Sequence, residues 1–379
     1  MRAGFGTAPI TPELPVMLAG FGDRHVATTE VHDPLEVRAL YFDNQDHGVP
    51  VPGASPSGVC LLVCDLIGMS TSFSDPIRTA VAQDLGLPKA AVLTSSTHTH
   101  SGPSCIAGSE AIGWPTPPGY REILEEGCRT AARLAHASAV PATLSYRRAP
   151  LPDGLSVNRR GLPYAPWLAL LEVRAVDGSR LGLLANLAVH PVALGPECFA
   201  VSSDWVGPFR TALESALGGH AIMLSGALGD VNPRHVHRQE NECAGDGFDE
   251  AATLGRELAE AVVDEVPAAT PLDEVIEVVR AEVFEAPIGG TMLSNLSRAS
   301  TMSVDLVEWA LGGARLVSLP GEAFHAFGRA IEASRHAPLL LAGLAPAWLG
   351  YLPMPFGEGY EEQMSPGESF VAALVAALT

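Results

Sequence analysis

No stretch of this chain approaches the roughly 18 consecutive apolar residues of a membrane span, although 47% of its 379 residues are hydrophobic. No cluster of lysine and arginine is present either. With 43 acidic residues against 23 basic ones, the formal net charge is −20. That disfavours nucleic acid and anionic membrane surfaces as partners, since both reward basic patches. The acidity is a statement about solubility and identifies no substrate. Met1-Arg2-Ala3-Gly4-Phe5-Gly6 lacks an apolar core followed by a small-residue cleavage site, so no secretory leader is read there. Six cysteines (Cys60, Cys64, Cys105, Cys128, Cys198 and Cys243) make no disulfide scaffold in so long a chain. Cys60 and Cys64 sit in an apolar run as small core residues, and the second close pair that a metal knuckle would need is missing. The resulting expectation is a reduced, cytoplasmic protein. No segment has the composition of a linker, so one layered α/β domain over residues 1–379 is expected, long enough to bury an ample core.

What is present is a set of short apolar runs ending in polar side chains. Residues 37–42 alternate as a strand. Residues 59–64 are continuously apolar, like strands buried on both faces, and Asp65 stands at their end. The spacing predicts a helix over 74–86, from Ser74-Asp75-Pro76 to Gly86. A strand then leads from Ala90-Ala91-Val92-Leu93 into Ser95-Ser96-Thr97-His98-Thr99-His100-Ser101-Gly102-Pro103. Strand, helix and strand in that order argue a parallel α/β unit. Residues two apart on a strand share a face, so His98 and His100 are expected side by side at the strand's end. Sites tend to be built there. The plainer reading is a polar loop with two incidental histidines.

A long helix follows over about 119–138, and the pattern then repeats. Residues 181–189 read as a buried strand ending in His190-Pro191, 205–217 as a helix, 221–225 as a strand and 249–265 as a helix. A third strand, 314–319, runs into Pro320-Gly321-Glu322, ahead of a helix near 323–334 and a strand at 339–344. The opening segment, through residues 7–12 and 18–24, reads as extended chain and turns. The tail at 351–367 reads as loop before a closing helix.

Three buried-type strands therefore end in metal-capable side chains: His98 with His100, then His190, then Glu322. Catalytic zinc takes three or four N, O or S ligands and keeps one position open. Two histidines and a carboxylate are a common set, and long separations suit a site assembled at strand ends. Singly, each has an ordinary reading: His190-Pro191 as a turn, Glu322 as a favourable charge at a helix start. His235 and His237, among Glu240, Glu242, Asp246 and Asp249, read as a solvated surface loop. Trp167, Trp205, Trp309 and Trp348 are candidates for an acyl pocket, with core packing as the plainer role.

Thr97-His98-Thr99-His100-Ser101-Gly102-Pro103, Val189-His190-Pro191, Ser202-Ser203-Asp204, Gly229-Asp230-Val231-Asn232-Pro233 and Pro320-Gly321-Glu322 follow one another along the chain. In that order they resemble the neutral/alkaline (non-lysosomal) ceramidase family, over essentially the whole chain. The resemblance implies that family's N-terminal catalytic domain and a zinc amidase that cleaves an N-acyl bond. It implies one Zn2+ per chain, held by His98, His190, Glu322 and, from a loose match at Gly350-Tyr351-Leu352-Pro353, Tyr351. It implies His100 as the catalytic histidine, Tyr360 in Gly359-Tyr360-Glu361 beside the reacting carbonyl, and Arg159 from Asn158-Arg159, with Arg160 a competing match.

Two departures stand out. Asn232 occupies the position of a serine in the family's loop, so the resemblance implies a zinc-activated water rather than a serine nucleophile. The chain stops near its closing helix, without the family's immunoglobulin-like C-terminal domain, which weakens the case for sphingolipid at a membrane. Asp65, Asp204 and Asp230, with Asn232, are the candidates for orienting the ligands, and capping of local turns is the other role for the aspartates. The expected partner is a small or lipid-like N-acyl molecule, with no nucleic acid and no stable membrane insertion. The same centre used on esters or lactones, or for acyl condensation or cyclisation, is the alternative, and a non-catalytic binding protein a further one.

Overall fold

Two sheets lie against each other, and the strands that carry the candidate ligands come from both. The computed structural model describes residues 1–22, 24–44, 58–234, 247–273, 275–289 and 300–379. His235 and His237 lie outside them. The first part of the chain forms β1 (Arg2–Pro9), β2 (Glu36–Asp43), β3 (Gly58–Cys64), α1 (Thr71–Leu85), β4 (Val92–Ser96), α2 (Tyr120–Ala137) and β5 (Val140–Pro150). Then come β6 (Ser156–Asn158), β7 (Trp167–Ala175), β8 (Arg180–Leu187), α3 (Val206–Leu217), β9 (His220–Ser225), β10 (Val231–Pro233) and α4 (Gly247–Glu265). The rest is β11 (Thr270–Pro271), β12 (Ile276–Pro287), β13 (Thr301–Leu311), β14 (Ala314–Leu319), β15 (Glu322–Ala323), α5 (His325–Ala333), β16 (Leu339–Gly343), β17 (Tyr351–Leu352), α6 (Tyr360–Gln363) and α7 (Glu368–Leu378).

The larger sheet has nine strands, in the order β4-β3-β2-β1-β5-β7-β8-β9 with β11 on β5, and the second is β12-β13-β14-β16. Three pairs are parallel: β3 with β4, β8 with β9 and β14 with β16. Each is joined through a helix (α1, α3 and α5), as the strand–helix–strand order argued. The other pairs of the two sheets are antiparallel. The fold is mixed α/β with flanking helices.

The apolar runs explain which strands lie inside. Every residue of β3, β4 and β16 is buried; for β3 and β16 this is what continuous apolar sequence requires of strands covered on both faces, while β4 buries Thr94, Ser95 and Ser96 as well. Helix α2 covers β1 and β2 with Leu124, Cys128, Ala131 and Ala135, spaced to share one face. It comes so close that a Cβ on Gly4 or Gly6 would lie within 2.2 Å of the Ala135 or Ala131 carbonyl oxygen. Glycine at those two positions is what lets helix and sheet touch.

Buried polar bonds tie the two sheets together at the ligand-bearing ends. Ser95 Oγ donates to Gly343 O at 2.8 Å, and Thr94 Oγ1 to Pro346 O at 2.7 Å. Asn186 brackets β16, donating to Leu341 O at 2.9 Å and accepting from Leu341 N at 2.8 Å. Strands from both sheets are thus locked in register where the side chains must meet.

The extended chain expected in the opening segment includes β1, an interior strand paired along its length with β2. The structure corrects three other expectations. Helix α1 starts at Thr71, ahead of Ser74, because Ser70 O already accepts the Phe73 and Ser74 N–H groups. Strand β4 ends at Ser96, short of both histidines. And Cys198 is disulfide-bonded while Cys60, Cys64, Cys105 and Cys128 are free, so the chain is not wholly reduced. Disulfides persist in oxidising surroundings, which removes the ground for a cytoplasmic assignment. No helix among the described residues is long and apolar enough to cross a membrane.

Candidate metal centre

His98 sits just beyond β4 with φ +76°, a left-handed conformation that costs a non-glycine residue energy. Its neighbours hold it there. His98 N donates to Leu66 O at 2.9 Å, Thr97 N to Cys64 O at 2.9 Å, and Thr99 Oγ1 to Ser202 O at 2.8 Å. A pinned turn, not strand alternation, therefore brings His98 and His100 together, with Nε2 atoms 3.3 Å apart. His190 follows β8 and is fastened by Val231, whose carbonyl takes both its backbone N–H, at 3.0 Å, and its Nδ1, at 3.1 Å. Glu322 follows β14 and opens β15, which pairs in parallel with β17 so that Glu322 lies opposite Tyr351. No helix starts at Glu322, so the helix-start role does not apply.

The three imidazoles are buried, with one nitrogen of each within 4.8 Å of the others. Glu322 Oε2 lies 3.2 Å from His98 Nε2 and 3.3 Å from His190 Nε2. Hydrogen-bond bookkeeping then shows what the cluster lacks. His98 Nδ1 faces Ile67 O and His190 Nδ1 faces Val231 O. A carbonyl only accepts, so in a neutral ring the proton is on Nδ1 and Nε2 is a bare lone pair. Burial pushes His190 down to about 4, with His98 and Arg159 adding to the effect, so its ring is neutral near pH 7. Burial raises the Glu322 carboxyl, but His98 and His190 more than offset this and leave it well below the ordinary range. A lone pair thus confronts a carboxylate in a buried place, which calls for a cation between them. Carbonyl-anchored Nδ1 atoms are how metal-binding histidines are usually held, so the donor set fits a divalent transition metal.

His100 differs from the other two. Its Nδ1 is buried without a partner. Burial, then the neighbouring imidazoles, lowers its pKa well below the usual value. Gly20 is why the ring fits: a Cβ there would lie 2.4 Å from His100 Cγ and Nδ1. Phe21 meets the ring edge-on at 5.0 Å, and the fully buried Arg24 donates to the carbonyls of His100, Gly195, Pro196 and Cys198.

A cavity of about 410 Å³ opens onto the centre, and His100, Arg159, His190, Asn232, Tyr351 and Tyr360 are on its wall. Tyr351 is buried, and burial, with the Glu322 charge, keeps its hydroxyl well above its ordinary pKa while Arg159 works the other way. Arg159 donates to Gly229 O at 2.7 Å, Glu361 Oε1 at 3.1 Å and Asn232 Oδ1 at 3.4 Å, with its guanidinium 5.5 Å from the Tyr351 ring. Arg160 instead bonds Glu361 and Glu362 and is off the cavity wall. Tyr360 is 55% exposed, lines the cavity and meets the Tyr351 ring edge-on at 5.9 Å.

The candidate orienting aspartates are buried, but none bonds a site imidazole among the described residues. Asp65 makes a two-pronged pair with Arg210, both contacts 2.8 Å, and takes Glu36 N. Asp204 accepts the N–H groups of Ala193, Leu194 and Trp205, just past His190. Asp230 accepts from Asn158 Nδ2 and His325 N. Asp65 and Asp230 lie in the loops from which Ile67 and Val231 present their carbonyls, Asp204 braces the turn after His190, and those carbonyls do the orienting. Among the tryptophans, Trp205 and Trp309 are core, and Trp167 is half-buried. Trp348 does more: its Nε1 donates to Glu322 Oε1 at 2.8 Å. Gly20, Phe21, Arg24 and Trp114 carry no motif, and only their place in the fold shows them.

No protein family model matches the chain. Among solved structures, it is similar to neutral ceramidase from Pseudomonas aeruginosa, with TM-score 0.81 and 17% identity, covering 100% of this chain and 73% of that one. A ceramidase complexed with C2 gives TM-score 0.79 and 16% identity over 99% of this chain and 73% of that one. At these identities the shared property is the fold: the chain is built on the ceramidase architecture.

Proposed function

We propose that this protein is a zinc-dependent amidohydrolase that cleaves the N-acyl bond of a small or amphiphilic molecule, with residues 1–379 as one catalytic unit. The observation that carries the reading is the meeting of His98 Nε2, His190 Nε2 and Glu322 Oε2 with both Nδ1 atoms spent on carbonyls. The ceramidase-like fold supports amide chemistry in particular. His98, His190, Glu322 and Tyr351 would hold one zinc ion, which supplies a lowered pKa for water and polarisation of the scissile carbonyl.

The chain's own groups do the rest. His100 accepts the attacking water's proton at Nε2 and passes it to the leaving nitrogen, whose amine then departs. Its free Nδ1 supports this role, because no carbonyl fixes its tautomer. Tyr360 donates to the carbonyl oxygen as charge grows there. Arg159 keeps a positive charge beside it while bracing Tyr351 and Asn232. Asn232 bears no nucleophilic hydroxyl, which fits attack by water.

The test is a panel of N-acyl amino acids, ceramides, esters and lactones, run with and without a chelator. Amide turnover that the chelator abolishes and zinc restores is expected. Turnover of esters or lactones alone would overturn the amidase reading. A chain that carries no zinc and is indifferent to His190→Ala would overturn the enzyme reading.

A further inference from the structure

A catalytic base is ordinarily steered by a third group bonded to its far nitrogen, and His100 has none, because its Nδ1 is buried without a partner. What holds it acts on its main chain. Arg24 Nη1 donates to His100 O, and the rest of the guanidinium reaches the loop after His190. Nε donates to Pro196 O at 3.0 Å, and Nη2 to Gly195 O and Cys198 O at 2.9 Å each. That loop is a firm base, since Asp204 takes the N–H groups of Ala193 and Leu194 and Cys198 is disulfide-bonded. Arg24 is 1% exposed, and among the described residues no carboxylate pairs with it. Burial pulls its pKa down to about 10, so it is still charged at neutral pH. A buried cation answered only by carbonyl dipoles is costly, and such departures collect at functional places. The same cation fixes the cavity side of His100. Ala19 N donates to Gly102 O at 2.9 Å and Arg24 N to Phe21 O at 3.2 Å, which pins Gly20, Phe21 and Gly22 between them. The guanidinium lies 4.7 Å from the Phe21 ring, and that ring meets His100 edge-on at 5.0 Å.

We propose that Arg24 is the positioning residue of His100. It stands in for the missing partner on Nδ1: its fork ties the His100 main chain to the 195–198 loop and seats Phe21 against the ring, so that Nε2 faces the centre while Nδ1 stays free. The assignment rests on the hydrolase reading through the part given there to His100. Arginine is needed because three carbonyl directions must be met from one planar group, which the single ammonium of lysine does not match.

The experiment compares Arg24→Met and Arg24→Lys with the same two changes at Arg78. Arg78 is as deeply buried, but it bonds Val92 O at 2.8 Å and Asp305 at 2.9 Å, at the far end of β4 from the histidines. Steady-state kinetics per zinc-loaded, folded molecule and amide hydrogen exchange are the two readouts. Arg24→Met should lower kcat about 10- to 100-fold, the effect of a misplaced catalytic group, with KM and zinc content little changed. Arg24→Lys should lose part of that factor, and covers a failure of the methionine variant to fold. Exchange should quicken at residues 99–102 and 20–22 in the Arg24 variants, whereas the Arg78 variants lose stability and keep kcat. An unchanged kcat in a folded Arg24 variant, or an equal loss of kcat in the Arg78 variants, would overturn the assignment. If exchange quickens as described and the wild type cleaves no amide, the hydrolase reading fails and the clamp on the His100 main chain stands. If the wild type cleaves amides and neither readout moves in the Arg24 variants, the clamp fails and the hydrolase reading stands.

Discussion

Trp348 Nε1 donates to Glu322 Oε1 at 2.8 Å, and the other oxygen of that carboxylate faces both His98 Nε2 and His190 Nε2. One indole therefore decides which carboxylate oxygen is free for a metal. Removing the donor while keeping an aromatic ring should loosen the centre without unfolding the chain. Trp348→Phe is expected to lower zinc affinity about 10- to 100-fold, measured by competition with a chelator of known affinity, with a folded far-ultraviolet spectrum retained.

The three histidines should separate by function. His98→Ala and His190→Ala are expected to lose the metal. His100→Gln is expected to keep it and to lose kcat by about 10²- to 10⁴-fold, with KM little changed. Metal content by mass spectrometry beside steady-state kinetics makes the distinction.

Gly20 and Gly22 form a matched pair of controls. A Cβ on Gly20 would lie 2.4 Å from the His100 ring at a backbone φ of +109°, whereas one on Gly22 meets nothing within 4 Å. Gly20→Ala should displace His100 and cost at least about tenfold in kcat, of the order of a misplaced catalytic group, at unchanged zinc content. Gly22→Ala should be silent in the same assay.

Burial of His190 gives the metal-free chain a pH signature. Folded, the ring resists protonation down to about 4, against an ordinary value of 6.5. Between those values the unfolded chain binds the extra proton, so this stabilisation is present above about pH 6.5 and is lost as pH falls towards 4, amounting to about 3 kcal/mol. Asp204 has the opposite sign, since burial pushes it up to about 7 and its contribution disappears as pH rises through that value. The informative quantity is therefore the difference between wild type and His190→Gln in urea unfolding at pH 7 and pH 4.5, where the wild type should show the steeper loss.

Much of this site was legible because continuous apolar runs mark buried strands. Residues 59–64, 181–189 and 314–319 announce strands, and the side chains after the 90–96, 181–189 and 314–319 segments are the ones that meet. What could not be read shares one cause: the deciding atoms have no residue identity. The carbonyls of Ile67 and Val231 orient the imidazoles, and any residue there would present the same oxygen. The +76° φ of His98 is imposed by bonds to Cys64 and Leu66, so strand periodicity placed the right residues together for the wrong geometric reason. Trp348 stands in an apolar context and reads as core, because nothing local shows that its N–H reaches a carboxylate 26 residues away. The long hairpin of β12 and β13 went unread as well, since most of β12 is exposed and its glutamates and arginine break up the apolar run that marked the buried strands.

The most direct test of the account is anomalous X-ray diffraction at the zinc edge from crystals of the zinc-loaded protein. The account predicts one peak, ligated by His98 Nε2, His190 Nε2, Glu322 Oε2 and Tyr351, with the His100 ring outside the ligand set. No peak at this cluster, or a metal bound by His100 and not by His98, would contradict it.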